Sequence, residues 1–218
     1  PGLWDGYGES EGRGKRGRAG DGRLMEGERG ARTADDRLPP GQRLVETWPV
    51  LGLGVQPEIA KDEWAFAIDG LVENPIRWTW DEFVAQPQVS VQSDIHCVTG
   101  WSRYDNIWTG VHVAHLLDMC RPEKEAMHCL IYAFDGYTTN IRLDRLADSD
   151  VLLAHSWEGE YLTKEHGGPV RAVVPKWYFW KSAKWIRRIE FIAEDETGFW
   201  EDRGYHNEGD PWKEQRYG

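Results

Sequence analysis

Cysteine is scarce in this 218-residue chain: only Cys97, Cys120 and Cys129 are present. An odd number at no framework spacing does not read as a secreted disulfide scaffold. No Cys-x-x-Cys pair occurs, so the usual structural zinc spacings are missing as well. Long apolar runs are absent too, and no stretch approaches the length of a membrane-spanning helix. No basic segment is followed by an apolar one, so no secretory signal is visible and the expected compartment is the cytoplasm. The chain starts at Pro1, which leaves the native start open between Met25 and a longer chain. Positive charge is in deficit: 26 Lys and Arg against 37 Asp and Glu give a net charge of −11. Residues 1–43 hold nine basic and eight acidic residues, so the remainder carries −12. An acidic body argues against nucleic acid, whose phosphates need a basic face. It is compatible with docking a basic electron-transfer protein. No internal repeat is present.

What the chain does have is tryptophan, 13 residues of it, enough for core packing and for the walls of a cofactor groove. Residues 1–38 are rich in Gly, Arg and Glu and lack apolar periodicity, which predicts a disordered tail or a non-native extension. Pro39-Pro40-Gly41 marks a stiff boundary, and residues 39–218 form the expected domain. Residues 44–57 mix apolar residues with Gly and Pro, the composition of an extended segment pinned onto a domain. Alternation predicts strands over residues 64–72, 89–95, 128–134, 138–143, 169–175 and 185–193. Trp78 to Trp80 begins a further short extended piece, and residues 150–154 suit a strand or a short helix. Asp81 N-caps a short helix reaching about Gln86, and apolar residues at helical spacing predict another over 111–120. The sum is an α+β fold in which strands predominate.

Three sets of residues could carry chemistry. Cys97 ends a strand and precedes a Thr-Gly turn; it is a buried small hydrophobe, a nucleophile or a soft metal ligand. His96 is adjacent but points the other way along a strand, which disfavours it as a base for Cys97. His166 and Arg171 flank a tight Gly-Gly-Pro turn, while Ser182 and Lys184 offer a hydroxyl and an ammonium from a second loop. Brought together, these donors would hold an anionic phosphate; apart, they are surface charge and turn chemistry. His112, His115, Cys120, His128 and Cys129 are the remaining zinc candidates, at spacings that fit no usual site. A zinc module therefore predicts zinc in the purified protein.

The segment His96-Cys-Val-Thr-Gly-Trp-Ser102 followed by Trp108-Thr-Gly-Val111 resembles the molybdenum-cysteine segment of the sulfite oxidase family of molybdopterin enzymes. Gly136-Tyr-Thr-Thr-Asn140, Asp150-Val-Leu-Leu-Ala154, His166-Gly-Gly-Pro-Val-Arg171 and Lys181-Ser-Ala-Lys-Trp185 follow in the family's order. Gly198-Phe-Trp200 and Gly204-Tyr-His-Asn-Glu-Gly-Asp-Pro-Trp212 are similar to its small bacterial, haem-free branch. The resemblance implies the sulfite-oxidase fold, a molybdenum-molybdopterin cofactor, no haem, and Cys97 as the protein's metal ligand. It implies that His166, Arg171, Ser182, Ala183 and Lys184 grip the pterin, with Val50 and Leu51 lining it. The implied activity is two-electron oxygen-atom transfer on a small sulfur-oxo substrate, with electrons exchanged with a separate carrier. Arg103 and Lys181 stand near positions where the family holds its anionic substrate. His155 stands where sulfite oxidases carry a tyrosine beside the metal, and Ala133 where part of the family has threonine. These departures leave room for reduction of a sulfoxide, such as methionine sulfoxide. A cofactor-free binding domain is the alternative outside enzymes, and retention of Cys97 with Arg171 and Lys184 argues against it.

Overall fold

The computed structural model describes residues 37–54 and 56–218; the tail expected over residues 1–38 falls outside them except for Arg37 and Leu38. Arg37 is already tied to the domain. Its guanidinium donates to both carboxylate oxygens of Asp94, at 2.9 and 2.6 Å, and to Asp105 at 2.6 Å. It also lies 4.3 Å from the Tyr104 ring centre. Ordered contact therefore begins at least two residues before the expected boundary.

Eleven strands build two sheets among the described residues. The first contains β1 (Arg43–Leu44), β4 (Gln88–Cys97), β5 (Trp101–His112), β8 (Leu152–Trp157), β9 (Glu160–Tyr161) and β10 (Arg171–Val173). The second runs β3 (Ile76–Thr79), β2 (Ala65–Gly70), β11 (Ile186–Ile192), β6 (His128–Ala133), β7 (Thr138–Arg142). Three short α-helices accompany the sheets among the described residues: α1 (Trp80–Val84), α2 (Val113–Cys120) and α3 (Leu143–Leu146). The strand-rich α+β expectation is met. The expected helix at 111–120 begins instead at Val113, because β5 runs on through His112. Residues 101–110 carried no strand signal: polar Ser102, Asn106 and Thr109 interrupt the apolar alternation, and Asp105 takes a positive φ of 56°.

Burial alternates along the strands and sorts the side chains into two cores. Leu153 and Ala172 face a large core that also holds Trp64, Phe66, Phe83, Leu116, Ile131 and Ile189. Leu152, Ala154 and Val173, one residue out of phase, face a second core with Ile95, Cys97, Trp101 and Trp108. The first sheet is thus packed on both faces, and its second face carries the site. Two local features place it. Thr79 and Glu82 form a reciprocal capping box that starts α1. Gly110 lies so close to β8 that an added Cβ would sit 1.9 Å from the Leu153 carbonyl oxygen, so no larger residue fits there. Among the described residues no helix is long and apolar enough to cross a membrane.

Candidate functional site

Cys97 is the last residue of β4, and the chain turns back at once through Gly100, whose φ of +91° suits glycine. The turn is fastened from several sides. The Cys97 carbonyl accepts from Gly100 N at 3.0 Å and from Gln42 Nε2 at 3.1 Å. The Val98 carbonyl accepts from the Arg216 guanidinium. The thiol is 7% exposed and lies 3.1 Å from the Thr99 hydroxyl. Burial pushes its pKa up, and the Thr99 bonds and the Arg216 charge only partly oppose this. Without a cation beside it, this sulfur is a thiol; a metal ion would stabilise the thiolate directly. His96 points away, to the Ser102 hydroxyl at 2.8 Å, and burial holds its pKa down to about 4.

Arg171 opens β10 on the same face of the sheet. It is 1% exposed, and its guanidinium donates to the carbonyls of His166 (2.8 Å), Ser182 (2.8 Å) and Ala172 (3.3 Å). Phe179 covers it at 4.3 Å, with Trp48 at 5.3 Å. Among the described residues no carboxylate pairs with it, and burial drives its pKa down to about 9. Lys184 is the second cation. Its ammonium donates to the Glu165 carbonyl at 2.6 Å and to the Leu51 carbonyl. Burial and then the Arg171 charge lower its pKa to about 8. His166 stacks on Trp48, with ring centres 3.7 Å apart and planes 13° apart. Among the described residues its Nδ1 is buried with no partner, and its pKa is lowered to about 4, by burial first and then by Arg171 and Lys184. The result is a positively charged cradle rich in donors and short of acid.

Glycine makes this convergence possible. An added Cβ on Gly167 would sit 2.9 Å from the Lys184 Cβ, and one on Gly168 2.2 Å from the Leu162 carbonyl oxygen. Only the bare backbone lets the His166 turn close onto the Lys184 loop. Ser182 and Ala183 act as struts there. The Ser182 hydroxyl accepts from Val174 N at 2.9 Å, and the Ala183 carbonyl accepts from Ala172 N at 2.8 Å.

The other expected site residues are placed less uniformly. Val50 and Leu51 are about half exposed, at 47% and 45%, and only the Leu51 carbonyl touches the cradle. Arg103 lies 4.7 Å from the Trp157 ring and is committed to Asn106 (2.5 Å) and Glu158 (3.3 Å). His155 occupies a β-bulge, the unpaired residue between the Ala154–Gly110 and Ser156–Thr109 partners. The bulge turns its ring toward Phe83, Trp80 and Tyr161, away from the face bearing Cys97 and Arg171. Lys181 does not face an anion site. Its ammonium is 2.6 Å from the Glu201 carboxylate, each side chain 1% exposed, and also donates to Asn140. The zinc candidates disperse: His112 caps α2, His115 bonds Gln86, and Cys120 and Cys129 sit in the large core. Among the described residues no three His, Cys, Asp or Glu side chains are grouped to hold a metal ion.

Sequence reasoning missed Trp48, Thr99, Phe179 and Arg216. Trp48-Pro-Val-Leu was readable only as an extended segment, and Arg216 reaches the Cys97 turn from a part of the chain with no local signal. Thr99 lies within the Cys97 motif, where a Thr-Gly pair reads as a turn and gives no sign that the hydroxyl reaches the thiol.

Comparison with known proteins bears on this arrangement. The family described as oxidoreductase molybdopterin binding domain matches residues 53–200. An uncharacterized oxidoreductase of Bacillus subtilis, YuiH, is 43% identical over 182 residues, covering 83% of this chain and 92% of that protein. The NADH nitrate reductase of Lotus japonicus is 27% identical over 66% of this chain and 20% of its own length. A protein of Azospira oryzae named as a protein-methionine-sulfoxide reductase subunit, YedZ1, is 28% identical over 68% of this chain and 56% of its own length. Among solved structures, the sulfane dehydrogenase SoxCD of Paracoccus pantotrophus superposes with a TM-score of 0.59 at 24% identity. That match covers 64% of this chain and 40% of the other, and shows a shared fold.

Proposed function

The chain belongs to the oxidoreductase molybdopterin-binding family, and from that premise we propose that it transfers an oxygen atom to or from a small sulfur compound. Its relatives are oxidoreductases, and the family's cofactor is molybdopterin. The observation that carries the cofactor's placement is Arg171. A buried guanidinium with no carboxylate beside it is costly, and an arriving phosphate would offset that cost with charge-assisted bonds. Lys184 would add a point charge, and His166 would offer its unpartnered Nδ1. Leu51 and Val50 would close over the pterin from the solvent side. Cys97 would be the protein's ligand to molybdenum, with its sulfur aimed by the clamped turn.

When bound, the cofactor supplies two-electron redox chemistry at the metal. This chain's residues supply the rest. Trp101, Trp108 and Ile95 exclude water around Cys97. Arg103, held on Trp157 by Glu158 and Asn106, would orient a polar substrate at the rim. His155 would act from behind the sheet, where its bonds to Gln88 (3.2 Å) and Ser156 (2.7 Å) fix the bulge, as a positioning residue. Electrons would pass to or from a separate carrier.

Oxidation of sulfite is one direction; reduction of a sulfoxide is the other. The second is favoured by a specific observation: Arg103 is already paired with Glu158, and Lys181 with Glu201, so neither is placed to grip a sulfite anion. The name of the Azospira relative agrees with it. Protein from a host that builds molybdopterin should oxidise a reduced viologen with methionine sulfoxide, or reduce ferricyanide with sulfite. Turnover of the sulfoxide alone supports the second reading. Molybdenum-loaded protein inactive in both assays contradicts the proposal.

A further inference from the structure

Away from the Cys97–Arg171 site, the first sheet leaves a long edge open. β4 pairs with β5 over its full length, from Gln88 opposite Val111 to Cys97 opposite Trp101. Among the described residues no strand pairs with the other side of β4. The two halves of that edge differ. From Ser93 to Cys97 all residues but Asp94 are buried, and a bulge between Ser93 and Ile95 breaks the register. From Gln88 to Gln92 the residues are exposed or half-buried. Alternate residues of an antiparallel strand direct N–H and C=O away from their partner. Over Gln88–Gln92 those groups bond to no loop backbone among the described residues. Sheet edges are usually blunted by charge, by proline or by a bulge. Here Pro87 and the bulge flank a window of five residues that holds none of the three.

The window reads Gln88-Val89-Ser90-Val91-Gln92, the same in both directions. Opposed residues in a sheet point to the same face, so a two-fold axis between two such strands falls on a residue. An axis at Ser90 brings Val89 opposite Val91, Gln88 opposite Gln92 and Ser90 opposite itself. An axis at Val89 or Val91 opposes unlike residues. The Gln88 amide is held by the Phe83 and Gln86 carbonyls and the Gln92 amide by Asp105. The backbone ladder and two Val–Val contacts are then what hold such a pair. Charge selects the same stretch. Each chain carries −11, yet residues 86–93 hold no charge, so two acidic bodies can meet there without like charges in contact.

We propose that two copies of this chain pair antiparallel through the Gln88–Gln92 edge, joining their first sheets into one. The contact is isologous, and closing the two edges on each other leaves neither open to further growth. Five residues span about 17 Å, which makes this a weak, reversible dimer rather than an obligate one. A substrate strand is the other occupant that an edge admits. Ser90 stands seven residues from Cys97 along β4, roughly 23 Å, which keeps a strand docked there away from the proposed metal ligand.

Sedimentation equilibrium of the full chain tests it. The wild type should show a monomer–dimer equilibrium that tightens with added salt, because screening weakens the repulsion between the acidic bodies. Ser90→Lys sets like charges against each other at the axis and should weaken association at least about tenfold, with thermal melting unchanged. Ser90→Cys should cross-link into a disulfide dimer under mild oxidation, since opposed Cα atoms lie about 4.5–5.5 Å apart. Gln92→Cys, exposed on the same edge but opposite Gln88, should stay uncross-linked. The three native cysteines are buried and do not compete. A wild type that is monomeric at every concentration and salt overturns the proposal. So does equal cross-linking of the two cysteine variants, or a Ser90→Lys dimer as tight as wild type. If Ser90→Lys fails to fold, the two cysteine variants still decide.

Discussion

At the scale of the residue, the buried cations are of two kinds, and they predict opposite behaviour. Lys181 is a structural ion: its Glu201 partner also accepts from Trp180 and Thr139, so the pair knits residues 198–203 to β7. Lys181→Met would leave a carboxylate buried among partners chosen for an ion pair. It should cost about 3–5 kcal/mol of stability in urea denaturation. A loss below about 1 kcal/mol would show that Lys181 is free for ligand binding after all. Arg171, by contrast, has carbonyl acceptors and, among the described residues, no counter-ion. Burial, and then the charges of Arg171 and Lys184, hold the His166 pKa down to about 4. A histidine with a folded pKa below its unfolded value near 6.5 takes up its proton more readily when unfolded. Its contribution to stability is therefore full above about pH 6.5 and lost as pH falls toward 4. An NMR titration of the apoprotein should find this imidazole neutral at pH 6, and Arg171→Gln should raise its pKa. A His166 titrating at 6.5 or above in the wild-type chain would contradict the cradle's electrostatics.

At the scale of the element, the bulged pairing of β5 with β8 sets which side chains reach the site. At Gly110 the strands press close, and the obstruction is backbone, which cannot rotate aside. Gly110→Ala should separate the strands, lose several kcal/mol and take the bulge at His155 with it. Thermal melting and amide exchange along 108–112 would register this; a melt within a degree or two of wild type would contradict the packing. The same element shows how far local sequence could be read. Strands β2, β6, β7 and β11 were legible because one face is apolar and the other polar. β5 was not, because its polar residues are satisfied by partners outside the strand: Ser102 by His96, Asn106 by Ser93 and Trp157. β8 was legible as an apolar run but not as a bulged strand, so His155 could be placed in sequence and not on a face.

At the scale of the whole molecule, the site is assembled from places far apart in the chain: Trp48, Cys97, His166–Arg171, Phe179, Lys184 and Arg216. The cradle residues were legible as donors on two loops beside a Gly-Gly-Pro turn, but only the resemblance grouped them, since spacing does not show that Gly167 and Gly168 let the two loops close on each other. The turn bearing Cys97 was legible from the resemblance of its motif and from nothing in the thiol's own surroundings. The aromatic lining was not legible: 13 tryptophans offer too many candidates, and only the fold selects Trp48 to stack on His166. Arg37 and Arg216 tie the two ends of the described chain to the β4–β5 hairpin and its turn, by ion pairs and carbonyl bonds that no periodicity encodes. The central claim, that Cys97 is this chain's ligand to molybdenum, is tested most directly by X-ray absorption at the molybdenum edge. The wild-type enzyme should show one more sulfur neighbour at bonding distance than Cys97→Ser prepared in the same host. An identical sulfur shell in the two proteins would contradict it.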